Sequence, residues 1–378
     1  MNMDSPAFQK NLHSKVKQLQ PYVPGRSITE IQNQYQIQDV IKLASNENPL
    51  GCSPKVIEDI HKIQKFDISI YPSTIHHPLF LKLTDFLGIA PENLLITNGS
   101  DAVFSLLIQA YTLAFQKKIL THEYAFMGYE IQAASFGIET LKAPIDPKTW
   151  LPDIDELIRL SKNDVALIFI ANPNNPTGQK IQWWDIYALL NNIPAETLLI
   201  IDEAYFEYDE SPHPQMHHLL STYPNLIITR TFSKAYGLAA LRIGYTMAHP
   251  VVIDTLKRIQ LPFTINQVAL NAANIALNDQ AFIEKTVKLN REGMQDLIEK
   301  LSSLALITRS SFGNFITIEY HKDIKEMVIF LESQGVIIRS LHAFGLARVA
   351  RITIGTQAQN QRLIKTIQQF FSKDKKNE

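Results

Sequence analysis

Cysteine is almost absent: Cys52 is the one thiol in 378 residues. A lone thiol closes no internal disulfide, which fits a reducing compartment. Nothing around Cys52 gives it a catalytic setting, so it reads as structural. An excess of one charge is lacking too. The formal net charge is −1, which leaves no electrostatic footprint for nucleic acid. No apolar run approaches the ~20 residues that a membrane helix needs. Met1 to Lys17 is polar and has no apolar core of a secretion signal. No Walker motif occurs, and no Gly-x-Gly-x-x-Gly follows a strand. Internal repeats and low-complexity segments are missing. His76-His77, His213 and His217-His218 stand beside prolines or in loop-like stretches without a matching ligand set, so they read as solvated and no metal is expected. These absences leave the expectation of a soluble, cytoplasmic protein.

What is present is an ordinary globular composition, 46% hydrophobic and 19% charged. The length suggests two to three domains at roughly 150 residues each. From Leu94 to Met247 a short apolar run, a polar loop and a helical stretch alternate. Leu94–Asn98 reads as a strand ending in Gly99-Ser100-Asp101, and Ala102–Phe115 has helical spacing. Val165–Ala171 is a continuous apolar run, as expected for a strand buried on both faces. It ends in Asn172-Pro-Asn-Asn-Pro-Thr-Gly178, which reads as a loop. Leu198–Ile201 is a further strand that stops at Asp202, and Leu226–Thr229 leads into Ser233-Lys234. This alternation predicts an α/β domain with a mainly parallel sheet.

After Phe263 the pattern changes. Asn266–Leu301 reads as one or more long helices, Phe315–Tyr320 as a strand and Ile324–Gln334 as a helix. Val336–Ile338 and Arg351–Ile354 read as short strands. The expected division is a large domain over 43–263, a smaller α+β domain over 264–378, and a segment 1–42 packing with the smaller one. Lys373–Glu378 is a charged tail, expected to fray.

Ser100, Asp101, Asn175, Asp202 and Lys234 all fall at carboxyl ends of these strands, the edge where open parallel sheets bind ligands. Taken singly, each has an ordinary explanation. A loop lysine is usually a solvated charge. An aspartate at a strand end is often a helix cap, and Tyr205 would be a packed aromatic. Asn-Pro is turn chemistry, the favoured reading for Asn172 and Asn174. Together they describe something more specific. Lys234 lies among apolar residues that favour a free amine able to attack a carbonyl. Ser233 and Arg242 can hold a phosphate, and so can backbone N–H groups at Gly99, Ser100 and Asp101 before a helix. A Schiff-base lysine beside a phosphate cup is what pyridoxal phosphate requires. Asp202 would then face the pyridine nitrogen, with Asn175 and Tyr205 at the ring oxygen.

These residues occur in the order seen in fold-type I pyridoxal-phosphate aminotransferases, and the chain resembles that family over nearly its whole length. Pro21-Tyr-Val-Pro-Gly25, Leu43-Ala-Ser-Asn-Glu-Asn-Pro-Leu-Gly51, Tyr71-Pro72 and Arg351-Ile-Thr-Ile-Gly-Thr356 are similar to histidinol-phosphate aminotransferases. Ser73 stands where that family has an acidic residue, and Ala240 where glycine is common. The resemblance implies a homodimer in which Tyr71 reaches the cofactor phosphate of the neighbouring subunit. It places the stacking aromatic within Tyr124–Tyr129, with Phe126 favoured and Tyr124 the rival. It makes Arg351 the anchor for a substrate carboxylate or phosphate, and Tyr22, Asn46 and Arg339 substrate contacts. The implied reaction interconverts histidinol phosphate plus 2-oxoglutarate with imidazole acetol phosphate plus glutamate, in histidine biosynthesis. An aromatic amino acid aminotransferase, a phospho-amino acid decarboxylase and a non-enzymatic ligand-binding module on the same fold stay open as alternatives.

Overall fold

A computed structural model describes residues 10–19, 25–212, 214–304 and 306–377. After a short strand β1 (Ile41–Lys42), seven strands form one sheet: β2 (Leu94–Thr97), β3 (Lys118–His122), β4 (Thr140–Ala143), β5 (Val165–Ala171), β6 (Leu198–Asp202), β7 (Leu226–Thr231) and β8 (Gly244–Ala248). Their spatial order is β2-β8-β7-β6-β5-β3-β4. β8 runs antiparallel to both its neighbours, β7 and β2, so β2 points the same way as β3 to β7. The mainly parallel α/β sheet expected from the sequence is therefore present, with a single reversed strand.

The central strands are apolar over most of their length because helices cover both faces, and their polar residues, Asp202 and Thr229-Arg230-Thr231, come at the carboxyl ends. Every residue of β5, β6 and β7 is buried. Along β5, Ile168 and Ile170 pack into one core while Leu167, Phe169 and Ala171 pack into the other. That alternation is the period-2 geometry of a strand. It leaves only the strand ends for polar side chains.

The C-terminal part builds a second sheet from β9 (Leu306–Arg309), β10 (Phe315–Tyr320), β12 (Arg339–Ser340) and β13 (Val349–Thr353), in the order β12-β13-β10-β9 and antiparallel throughout. β11 (Val336–Ile337) lies apart and pairs with β1. Several of the expected elements differ in extent. The long helical run divides into Gln267–Asn278 and Gln280–Ser302 at Asp279. There the chain leaves helical geometry, and the carboxylate takes the Ser53 hydroxyl at 2.5 Å and Lys55 Nζ at 2.7 Å. The strand expected from Arg351 begins at Val349, where antiparallel pairing with β10 starts. The final helix runs from Gln357 to Asn377, through the stretch expected to fray.

The two described helices of the N-terminal segment have different neighbours. Helix Ile28–Tyr35, closed by a Ser27/Glu30 capping box, buries Ile31 against Ala44 and Ile337, and Arg26 reaches Glu332 at 3.1 Å. Helix Ser14–Gln18 instead packs on helix Met127–Ser135 beside the large sheet.

Candidate active site

The carboxyl ends of β2, β5, β6 and β7 open into one pocket. Its lining includes Ser100, Asp101, Phe126, Asn175, Asp202, Tyr205, Ser233, Lys234 and Arg242. Segments spread over more than 140 positions converge here because the parallel strands all end at the same edge.

Asp202 is the last residue of β6 and is 5% exposed. Its Oδ2 accepts from the Tyr129 hydroxyl at 2.8 Å and its Oδ1 from Thr229 Oγ1 at 3.2 Å. Burial pushes its pKa up from 3.8 to about 7, against the pull of those hydrogen bonds. None of these partners is a cation, so the carboxylate would gain by meeting one in the pocket. Lys234 stands across the pocket, half-buried, with Nζ 3.4 Å from the Ser45 carbonyl and 5.7 Å from the centre of the Tyr205 ring.

A second group forms an anion cup. Helix Asp101–Tyr111 begins here, and the Ser100 side chain makes no capping bond, which leaves its hydroxyl to the pocket. Arg242 Nη1 lies 3.4 Å from Ser233 Oγ, and Nη2 lies 3.4 Å from an Asp101 carboxylate oxygen. Gly99 has φ +73°, and a Cβ there would sit 2.7 Å from Arg242 Nη2. The positive φ favours glycine, and its missing side chain leaves the guanidinium room beside the helix N-terminus. A guanidinium, a hydroxyl and helix N–H groups together favour a phosphate.

The Asn172–Gly178 loop separates its asparagines by role. Asn172 bonds both ways with the Ile181 backbone, and Asn174 Nδ2 donates to the Tyr124 carbonyl at 2.9 Å. Both therefore serve the turn. Asn175 alone faces the pocket, where its Oδ1 accepts from Arg351 Nη1, leaving its N–H donors to the pocket. Arg351 thus reaches in from the second sheet, 8% exposed, with Nη2 donating to the Ala44 carbonyl at 2.8 Å. Arg339 pairs directly opposite Arg351 across β12 and β13, so the two side chains leave the same face of that sheet. Among the aromatics, Phe126 lines the pocket; Tyr124, at φ +55°, faces a neighbouring cavity. Gly128 makes room for the Phe126 ring, since a Cβ there would lie 2.4 Å from Cε1.

Other expected residues fall elsewhere. Tyr71 is 76% exposed and stacks on Phe263 at 4.5 Å, outside the pocket of its own chain. Tyr22 lies outside the described residues. Asn46, expected as a substrate contact, is 1% exposed and bonded internally to Tyr205 and Thr353, because its segment is clamped between the two sheets. His77 and His217, expected to be solvated, are buried; their ring nitrogens meet Asn271 and the Leu87 carbonyl, both at 2.9 Å. Sequence reasoning assigned nothing to Tyr129, which proves to be a direct partner of Asp202. Its position three residues after Phe126, one helical turn on, is the signal that could have found it.

The family model for aminotransferases of class I and II matches residues 38–367. The chain belongs to that family. Within it the chain falls among the histidinol-phosphate aminotransferases. It is 44% identical over 366 residues to histidinol-phosphate aminotransferase 2 of Legionella pneumophila (strain Paris), covering 96% of this chain and 99% of the relative. It is 36% identical to the histidinol-phosphate aminotransferase of Geobacillus sp. (strain WCH70), covering 95% and 98%. Among solved structures it is similar to the histidinol-phosphate aminotransferase of Sinorhizobium meliloti in complex with pyridoxal-5'-phosphate. That match has TM-score 0.84 and 25% identity over 98% of this chain and 99% of the other.

Proposed function

We propose that this protein transfers an amino group between histidinol phosphate and 2-oxoglutarate, with pyridoxal phosphate as cofactor, in histidine biosynthesis in the cytoplasm. One observation carries the reading: a single pocket holds a lysine amine, a buried carboxyl that meets no cation among the described residues, and an anion cup. Those three groups fit the aldehyde, the ring nitrogen and the phosphate of that cofactor. When bound, the cofactor supplies an aldehyde for the lysine amine and a ring that takes up electrons from the substrate carbon.

The chain's own groups do the rest. Asp202, brought to a cation, stays ionised and holds that cation's proton in place. Lys234 Nζ, freed by an incoming amine, is the base that moves a proton at the substrate carbon. Asn175 and Tyr205 offer hydrogen bonds to an anionic ring oxygen. Ser100, Ser233 and Arg242 anchor the phosphate. Arg351, joined by Arg339 on the same sheet face, takes the substrate's anionic group. Exposed Tyr71 stacks on exposed Phe263, which lines one groove with exposed Ile75 and Leu261, and this apolar surface supports a homodimer. In that dimer Tyr71 would reach the neighbour's phosphate cup.

The test is a substrate panel on purified, cofactor-loaded protein. Histidinol phosphate, aromatic amino acids and phosphothreonine are offered with and without 2-oxoglutarate, beside the Lys234→Ala variant. Turnover of histidinol phosphate that requires the oxo acid and disappears in the variant is expected. Preference for phosphothreonine without an oxo acid would overturn the substrate assignment, and full transamination by the variant would overturn the mechanism.

A further inference from the structure

We propose that Asn46 is a positioning residue that aims the Tyr205 hydroxyl proton into the pocket, with its own orientation set by Thr353 on the second sheet. The proposal rests on the cofactor reading above.

Asn46 sits at φ +56°, a left-handed conformation that asparagine tolerates better than most residues. Its segment is pinned from both sides. The consecutive carbonyls of Ala44, Ser45 and Asn46 accept from Arg351, Lys234 and Asn314 at 2.8, 3.4 and 3.0 Å. The strand holding Arg351 and the loop holding Lys234 therefore meet on three adjacent residues.

The side chain adds a direction to this junction. The Asn46 backbone N–H donates to Thr353 Oγ1 at 2.9 Å, and that hydroxyl donates in turn to Asn46 Oδ1 at 3.2 Å. This small ring fixes which end of the amide is oxygen. Asn46 Nδ2 is then left to donate to the Tyr205 hydroxyl oxygen, at 2.8 Å. A phenol has one proton and accepts through its oxygen. With the oxygen occupied by Asn46, the proton of Tyr205 is free for an acceptor in the pocket that Tyr205 lines. Hydrogen bonds in series polarise one another, so donation from Asn46 also makes Tyr205 the stronger donor. Three polar groups, two of them outside the pocket lining, thus deliver one oriented proton to the place where an anionic ring oxygen would lie.

The variants separate this role from a structural one. Thr353→Val removes the ring that orients the amide and touches neither Tyr205 nor the pocket. Asn46→Asp, when ionised, accepts from Tyr205 and turns its proton away from the pocket. Losing a hydrogen bond to an anionic oxygen favours its protonated form. The readout is the pH midpoint of the visible absorbance of bound pyridoxal phosphate, with thermal unfolding of the cofactor-free proteins alongside. Thr353→Val and Asn46→Asp are expected to raise the midpoint by roughly half to one pH unit. Thr353→Ser, which keeps the hydroxyl, is expected to restore it. In a Tyr205→Phe background Asn46→Asp is expected to add no further shift, since coupled groups are not additive. An unmoved midpoint in Thr353→Val, or additive shifts for Asn46→Asp and Tyr205→Phe, overturns the proposal while leaving the cofactor reading intact. A wild-type protein that shows no visible band with pyridoxal phosphate overturns both.

Discussion

Replacing Asp202 by asparagine should stabilise the cofactor-free protein, and do so in a pH-dependent way. The carboxyl is 5% exposed, and burial raises its pKa from 3.8 to about 7. Between those values the folded chain keeps a proton that the unfolded chain has released. Stability therefore falls as pH rises through this window, by about 1.4 kcal/mol per unit. Over some three units the loss reaches ~4 kcal/mol, and above pH 7 it levels off because both states are ionised. Asparagine has nearly the same shape and carries no such burden. The stability gap between variant and wild type should widen from near zero at pH 4 to a few kcal/mol at pH 7, then stay flat. Urea unfolding of both apoproteins between pH 4 and 8.5 measures it. The same substitution should cripple cofactor-dependent turnover, so the stability lost at Asp202 is what the site gives up for function. A gap that does not change between pH 5 and 7 would refute the argument, since it would mean that Asp202 titrates alike in the folded and unfolded chains.

Tyr129→Phe removes one donor to that carboxylate; a hydrogen bond to a charged group is worth ~1.5–3 kcal/mol, so the Asp202 pKa should climb by about one to two units. Cofactor binding measured from pH 6 to 9 should then need a higher pH, and an unchanged profile would mean that Tyr129 serves packing alone. Gly128→Ala puts a Cβ 2.4 Å from the Phe126 ring and should displace it, weakening cofactor binding by about tenfold in equilibrium dialysis with the fold retained by circular dichroism. Tyr71→Ala lies at an exposed position and should alter subunit stability by less than ~1 kcal/mol. It should still lower cofactor affinity in the proposed dimer, and equal affinity in variant and wild type would remove Tyr71 from the site.

Much of the site was legible because parallel strands put their chemistry at one edge. A run such as Val165–Ala171 declares a doubly buried strand, and the polar residue that ends it must lie at the rim. Asp202, Asn175, Lys234 and the Gly99–Asp101 turn were found in that way, and the pocket contains all of them except Gly99, whose missing side chain serves it by admitting Arg242. Local chemistry also separated Asn175 from its neighbours, since Asn172 and Asn174 have backbone partners within the loop's own surroundings.

The sequence by itself determined the class of sheet, the edge that carries the chemistry, and the residue types a phosphate and a Schiff base demand. These follow from short-range pattern: strand period, turn residues, and a lysine with its hydroxyl and arginine close in the chain. Only the tertiary structure decided the long-range pairings. Tyr129 meets Asp202 across 73 positions, and Asn46 meets Tyr205 across 159 and Thr353 across 307. No periodicity encodes such contacts: the first arises where helix Met127–Ser135 packs on the large sheet, the others where two sheets close on one segment. The same closure buries Asn46, 1% exposed, between Tyr205 and Thr353, while Tyr71 stays 76% exposed on the surface.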